Sequence, residues 1–313
     1  MSQEPVSNSP IKLLSPGTLW SKTQQQTQYA RKCGALKSIE TEYHLIQQQD
    51  ISFVVRTLSN MTRKERASKQ QQQQEKQIGK PIDPFSPCEP ELFVGDISAT
   101  HFCLLNKFNV VDNHLLIVTR LFEEQTSLLN QQDFTALWTC LQEIDGLAFF
   151  NGGKTAGASQ RHKHLQLIPL PLMSDVVHLP IAEAIANSQP SASGSKISSF
   201  PFCHRIASLE IDPQAAPQEA GSILLQQYHR LLQQVGFKIE EDTQEQPGAY
   251  NFLATRNWML IVPRSQESYE QIPINSLGFA GSLFVRDRDA LALLKELTPL
   301  KLLYKVGFPQ NGL

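Results

Sequence analysis

Two histidines and a glutamine stand at alternate positions, His162, His164 and Gln166, at the end of a glycine-rich run that begins at Gly152. Side chains alternate faces along an extended strand, so the three share one side. A neutral imidazole is well populated near neutral pH, because its unperturbed pKa is ~6.5, and it can attack phosphorus. The product, a phosphoramidate, keeps its group-transfer potential and can pass a nucleotidyl group to a second acceptor. Such a step needs an acceptor for the other ring N–H, which a backbone carbonyl can supply. It also needs donors for the non-bridging oxygens where charge gathers. The turn Gly157-Ala158-Ser159-Gln160 offers backbone N–H groups and a hydroxyl, and Gln166 offers an amide. An amide can neither protonate a leaving group nor act as a base for water. The trio therefore suits weakly basic leaving groups, such as a nucleoside polyphosphate, and transfer over hydrolysis. Histidines at i and i+2 also suit zinc, but no further ligand cluster is evident in the sequence. Lys154 and Lys163 read as solvated or phosphate-steering charges.

The elements that must position this trio are legible around it. An apolar stretch ending in Phe149-Phe150-Asn151 precedes the run, and Leu165-Gln166-Leu167-Ile168-Pro169 continues it as a strand. Before them, Asp133 to Gly146 predicts an amphipathic helix, with Asp133 as its cap, Phe134, Leu137, Trp138 and Leu141 on one side, and Gly146 at its end. His101 to Asn106 and His114 to Thr119 predict a hairpin. Further upstream come a disordered lead over the first ten residues, a helix-compatible segment from Thr18 to Ala35, and a strand from Ile51 to Val55. Arg63 to Gln77 is a low-complexity excursion, and Pro81 to Pro87 is a proline-punctuated loop. Downstream, Pro190 to Ser199 reads as a linker, Ser222 to Val235 and Ala290 to Tyr304 as helices, and Tyr250 to Arg264 as a second hairpin. That hairpin echoes Cys103 to Arg120, which predicts an internal duplication. Its second copy would place Asn275 to Ser282 where the first has its histidines.

At 313 residues, with 41% apolar and 19% charged residues, the chain has room for two domains or two fused halves and an ordinary globular composition. A net charge of -2 gives no global reason to expect nucleic acid or a membrane surface as partner. Five scattered cysteines (Cys33, Cys88, Cys103, Cys140 and Cys203) form no C-x-x-C pair, which argues for reduced thiols in a cytosol. The N-terminus shows no secretory signal, and no apolar run approaches the ~20 residues that span a bilayer. The expectation is a soluble cytoplasmic protein.

The run N-G-G-x-x-x-G-A-S-Q-x-H-x-H-L-Q, from Asn151 to Gln166, resembles the active-site motif of the diadenosine tetraphosphate phosphorylases, or ATP adenylyltransferases. These are a branch of the histidine-triad superfamily, beside the galactose-1-phosphate uridylyltransferases. Pro84-Phe85, Leu105 to Val110, His114 to Arg120, Asn251 to Arg264 and Asn275 to Gly281 follow the same family in order. Arg161 departs from a frequent proline, and the insertion Gln70 to Gln74 blurs the match around Lys64. The resemblance implies an α+β fold of histidine-triad-like antiparallel sheets with packed helices, in two fused halves, 1–185 and 186–313. It implies phosphorolysis of diadenosine tetraphosphate by inorganic phosphate to ATP and ADP through an adenylyl-histidine. His164 matches the nucleophile, His162 the supporting histidine and Gln166 the phosphate-binding glutamine. Asn151, Gly157, Ala158, Ser159 and Gln160 match substrate-holding residues, and Asn106 and Lys107 a nucleotide-contacting pair. Lys64, Ser276, Leu277, Gly278, Ser282 and Arg286 match outlying contacts. No covalent cofactor is implied, although Mg2+ could accompany the polyphosphate. A related transferase acting on adenylyl sulfate or sugar phosphates, and a nucleotide-binding protein without turnover, remain open as alternatives. Monomer and dimer are both compatible with the C-terminal helix.

Overall fold

A computed structural model describes residues 11–58, 73, 79, 82–172, 178–240 and 243–310. The first ten residues, and the low-complexity tract apart from residue 73, lie outside these. Helix α1 (Leu19–Cys33) leads to β1 (Thr41–Gln48) and β2 (Ile51–Leu58). Then β3 (Phe93–Asp96), β4 (His101–Leu105) and β5 (Leu115–Thr119) precede helix α2 (Gln131–Glu143). Strands β6 (Gly146–Asn151) and β7 (His164–Pro169) follow, then helix α3 (Ala182–Ser188), β8 (Arg205–Ser208) and helix α4 (Pro217–Gln234). The chain continues through β9 (Tyr250–Ala254), β10 (Trp258–Pro263), the short pair β11 (Ser268–Tyr269) and β12 (Ile272–Pro273), and the single turn α5 (Ser276–Phe279). It ends with β13 (Ser282–Val285), α6 (Arg288–Leu297) and α7 (Pro299–Val306).

Eight strands form one antiparallel sheet in the order β3-β4-β5-β7-β6-β9-β10-β8. A second sheet, β1-β2-β13, has β13 parallel to β2. The fold is therefore α+β, as expected. Strand alternation sorts the large sheet into two faces. Leu165 and Leu167 of β7 pack with Trp138, Leu141, Leu224 and Leu231 of α2 and α4. Ile168 joins the opposite core with Phe149, Leu253, Phe53, Leu283 and Leu303. On that second face, Val118 pairs with His164 and Leu116 with Gln166. Both join Phe85, Phe102 and Leu104 in a small separate apolar cluster.

Several boundaries differ from the sequence reading, each for a local reason. Helix α2 starts earlier, capped by Asn130, and Asp133 sits at its third position as the return half of a capping box. Gly146 does not end that helix. It opens β6, where a Cβ would lie 2.7 Å from the Ile168 carbonyl oxygen. The single C-terminal helix is two, α6 and α7, because Pro299 cannot continue the first and Thr298 turns with a φ of 68°. Both hairpins form, but their equivalence does not hold in the sheet. Counting outward from the central β6–β9 pair, β9 and β10 occupy the places of β6 and β7. Each pair follows a helix, α2 or α4, and those helices pack on each other through a shared core. The counterpart of the glycine-rich run is thus the short turn between Ala254 and Trp258. The segment from Asn275 instead makes α5 and leads into β13.

Lys163 is also placed differently from the solvated charge expected. It lies between the two histidines, so alternation turns it to the helix-covered face, where it is fully buried. Its Nζ meets Asp133 Oδ2 at 2.6 Å, Glu123 Oε2 at 3.0 Å and the Leu128 carbonyl oxygen at 2.8 Å. Asp133 Oδ1 lies 3.0 Å from His101 Nε2. Burial pushes the Asp133 carboxyl up, but the His101 hydrogen bond and the Lys163 charge outweigh it, leaving it below its usual range. Removing one partner would strand a charge in a dry core. Asp133→Ala should cost about 3–5 kcal/mol of unfolding free energy in urea titrations. Pairing it with Lys163→Met should recover part of that loss.

Candidate active site

Strand β7 begins at His164, and His162 precedes it in an isolated antiparallel bridge to Glu124. The His164 Nδ1–H donates to the carbonyl oxygen of His162 at 2.8 Å, which leaves the lone pair on Nε2. The backbone is pinned as well. The His164 N–H donates to Gln125 Oε1 at 2.9 Å, while Gln125 Nε2 donates to the carbonyl oxygens of Asn151 at 3.0 Å and His164 at 3.2 Å. One buried amide thus ties the end of β6 to the start of β7. His164 is only 5% exposed, and this burial drives its imidazole from 6.5 down to about 4, the bond to the His162 carbonyl opposing it only in part. At neutral pH the ring is uncharged, with its Nε2 lone pair unprotonated.

Two positions on, Gln166 Oε1 accepts from His114 Nε2 at 3.0 Å. Asn106 Nδ2 stands behind, 3.4 Å from His114 Nδ1. With Oε1 engaged in this way, the amide N–H group of Gln166 is the part left to bind an anionic oxygen. The Phe85 ring meets both histidine rings edge-on, with centroids 5.7 Å from His162 and 5.2 Å from His164, so the pair faces one cleft.

The other expected site residues divide into those near this cleft and those packed away. Gly157 has a φ of 92°, and a Cβ there would lie 2.8 Å from the Ile274 carbonyl oxygen, so only glycine fits the turn. The N–H groups of Gly157 and Ala158 already donate to Lys154 and Gly153 carbonyls. The backbone N–H groups left in that turn are therefore those of Ser159 and Gln160, which have no hydrogen-bond partner among the described residues. Lys107 pairs with Glu89 at 2.6 Å at the far end of β4. Arg286 is exposed, Leu277, Gly278 and Ser282 are buried in α5 and β13, and Lys64 lies outside the described residues.

Asn151 and Ser276 meet in a buried knot that joins the middle of the sequence to its C-terminal part. Asn151 Oδ1 accepts from the Ser276 N–H at 2.9 Å, from Ser276 Oγ at 2.8 Å and from Asn251 Nδ2 at 2.9 Å. Arg264 Nη1 donates to Asn251 Oδ1 at 2.6 Å and to the Ile274 carbonyl oxygen at 2.9 Å. Its Nε donates to the Val306 carbonyl oxygen at 3.2 Å. Desolvation lowers this guanidinium to about 9, so it remains cationic at neutral pH among carbonyl oxygens. Both predicted residues thus hold the loop after β6 in place.

Three residues outside those the sequence singles out also contact the histidine pair or Gln166: Gln125, His114 and Asp83. Asp83 lies 79 positions before His162, yet its Oδ2 stands 2.7 Å from His162 Nδ1. His114 falls in a segment that follows the family, and its alternation with Leu116 and Val118 was the available signal. Nothing in the sequence pointed to Gln125. Among the described residues no group of three or more His, Cys, Asp or Glu is arranged to hold a metal ion. Among the same residues, no helix is long and apolar enough to cross a membrane.

Comparison with known proteins agrees with this geometry. Residues 9–187 match the family model of the Ap4A phosphorylase N-terminal domain, and residues 198–309 that of the ATP adenylyltransferase C-terminal domain. Diadenosine 5',5'''-P1,P4-tetraphosphate phosphorylase 2 of Saccharomyces cerevisiae is 31% identical over 260 residues, covering 74% of this chain and 77% of its own. Protein APA1 of the same yeast is 25% identical over 251 residues, with the same coverage of 74% and 77%. The crystal structure of yeast Ap4A phosphorylase Apa2 superposes with a TM-score of 0.76 at 26% identity, covering 96% of each chain. Its complex with Ap4A gives a TM-score of 0.76 at 25% identity, over 96% of this chain and 99% of that one. With both family models together spanning most of its length, on either side of the seam between β6 and β9, the chain belongs to the Ap4A phosphorylase (ATP adenylyltransferase) family.

Proposed function

We propose that this chain catalyses phosphorolysis of diadenosine tetraphosphate, with inorganic phosphate, to ATP and ADP through an adenylyl-His164. The observation that carries this reading is the His164 imidazole itself, held neutral by burial with its Nδ1–H committed to a carbonyl and its Nε2 lone pair available. In the first half-reaction Nε2 forms a bond to the α-phosphorus while the P–O bond to the remaining nucleotide breaks. ATP departs as an anion and needs no proton. The ring then carries positive charge, which the His162 carbonyl stabilises through Nδ1–H. In the second half-reaction a phosphate oxygen attacks the same phosphorus, the P–N bond breaks, and ADP leaves the ring neutral again. Gln166 donates its amide N–H to a non-bridging oxygen in both steps, and Ser159 and Gln160 supply further donors.

The adenine of the transferred nucleotide would lie on the apolar cluster of Phe85, Phe102, Leu104 and Leu116, with Asn106 and Lys107 towards its ribose. The yeast relative crystallised with Ap4A and with AMP supports an adenine nucleotide here. Residues 1–185 would carry the nucleophile and residues 186–313 close the substrate site, partly through the Asn251 and Ser276 contacts to Asn151. Mg2+ would enter bound to the substrate's own polyphosphate oxygens. The five free cysteines, including Cys103 and Cys140 with their sulfurs 3.8 Å apart, fit a reducing cytoplasm.

His164→Ala should abolish both Ap4A consumption and the adenylyl-protein trapped in the absence of phosphate; an active variant would falsify the assignment. Gln166→His restores a proton carrier, so AMP should rise relative to ADP when products are resolved by chromatography. A lowered pKa leaves the nucleophile unprotonated until the pH falls well below its usual value. Single-turnover adenylylation should therefore stay level as pH drops through 6.5 and decline only towards about 4. A decline centred at 6.5 would contradict the buried, neutral nucleophile.

A further inference from the structure

The loop ahead of β3 brings a carboxylate to the catalytic pair. Asp83 Oδ1 accepts the N–H of Phe85 at 2.9 Å, which fixes the turn that lays the Phe85 ring against both histidines. Its other oxygen, Oδ2, lies 2.7 Å from His162 Nδ1. On the far side of the same ring, Nε2 lies 2.8 Å from the Thr119 carbonyl oxygen and 3.0 Å from Thr119 Oγ1. A carbonyl oxygen accepts and cannot donate, and an ionised carboxylate behaves likewise. The Thr119 hydroxyl gives its own hydrogen to the Lys163 carbonyl oxygen at 3.3 Å, so each nitrogen of His162 meets an acceptor, and both bonds form only when both nitrogens carry hydrogen. His162 is almost wholly buried, so its ring is clamped at two ends in a dry setting.

We propose that Asp83 is a positioning residue of the adenylyl transfer: its carboxylate holds His162 with both ring nitrogens donating, which sets the carbonyl that orients His164 and denies water a base. The proposal rests on the phosphorolysis reading above. The link runs through one residue, because the His162 carbonyl oxygen receives the Nδ1–H of His164. Rotation of the His162 ring would disturb the backbone that carries this acceptor. The charge arrangement follows the same logic. His164 gains positive charge as its Nε2 bonds to phosphorus, beside a His162 ring that already carries two hydrogens. The Asp83 carboxylate offsets that second positive charge where it matters. With no lone pair left on either nitrogen, His162 cannot take a proton from water. This complements Gln166, which has no basic atom to offer.

The test compares wild type with Asp83→Asn, Asp83→Ala and Asp83→Glu, using Ap4A and inorganic phosphate with ATP, ADP and AMP resolved. Asp83→Asn keeps an acceptor of the same shape and removes the charge. We expect kcat to fall by about 10- to 100-fold in the Asn and Ala variants, the range typical for partners that orient a catalytic group. KM for Ap4A should change by less than about 3-fold, the AMP share should rise in Asp83→Ala, and Asp83→Glu should recover most of kcat. A purely structural contact would instead lower the melting temperature and leave kcat and the product ratio of the folded enzyme unchanged. That result, or a loss confined to KM, or no recovery with Glu, overturns the proposal. Nitrogen-15 imidazole spectra read the clamp without turnover: His162 should show hydrogen on both nitrogens in wild type and lose one in Asp83→Ala. A wild type that ignores Ap4A but shows this spectrum defeats the phosphorolysis reading alone. A His162 with hydrogen on one nitrogen in wild type defeats the clamp alone.

Discussion

Strand alternation makes a demand in the middle of the motif that the rest of the molecule must meet. If His162 and His164 face the cleft, Lys163 must face the core, and a buried ammonium is tolerated only beside an opposite charge. Asp133 supplies that charge. The same carboxylate accepts the N–H of Asn130 at 2.7 Å, so it also fixes the start of α2, and it receives His101 from β4. One buried anion thereby sets β4, β7 and the helix behind them against one another. The two histidine rings inherit their register from a contact on the opposite side of the sheet.

On the cleft side, protonation is controlled by which nitrogen is occupied. His164 has one nitrogen committed to a carbonyl and the other available, in an environment that disfavours charge before reaction. Gln166 is turned by His114, which is in turn met by Asn106. These are short chains of directed bonds, each ending in a backbone or amide group without a titrating proton to lend. An anionic leaving group and an anionic acceptor fit such a site, because neither requires acid or base assistance.

Much of this was legible in advance because it is local. The histidine strand, both hairpins, α1 and the apolar side of α2 follow from alternation and helical spacing. The Asn151 to Gln166 run carries the resemblance to the family whose models match the chain. What was not legible depends on contacts across the sheet or between distant loops. Lys163 looks solvated in a list of residues and is buried against the helices because the histidines on either side take the opposite face of the strand. Asp83 sits in a proline-rich loop with no periodicity to reveal where it points. Ser276 and Asn151 resembled ligand contacts by position, and their side chains instead bond to each other and to the backbone. Helix ends differ from the sequence expectation where two signals compete, as at Asn130 against Asp133 and at Thr298-Pro299 within an apolar period.

The large sheet has no break between the parts matched by the two family models. Asn151 pairs with Asn251 and Phe150 with Phe252 across the β6–β9 seam, so the backbone ladder runs from one part into the other. The true margins are β3 and β8, four-residue strands that each have a neighbouring bridge, Leu13 to Asp96 and Ser195 to Ile206. Severing the chain between the parts and separating them would bare two buried, largely apolar strands with unpaired amides, the kind of margin that recruits foreign strands. The two segments are therefore poor candidates for exchange as building blocks, and recombination would be expected to carry them together.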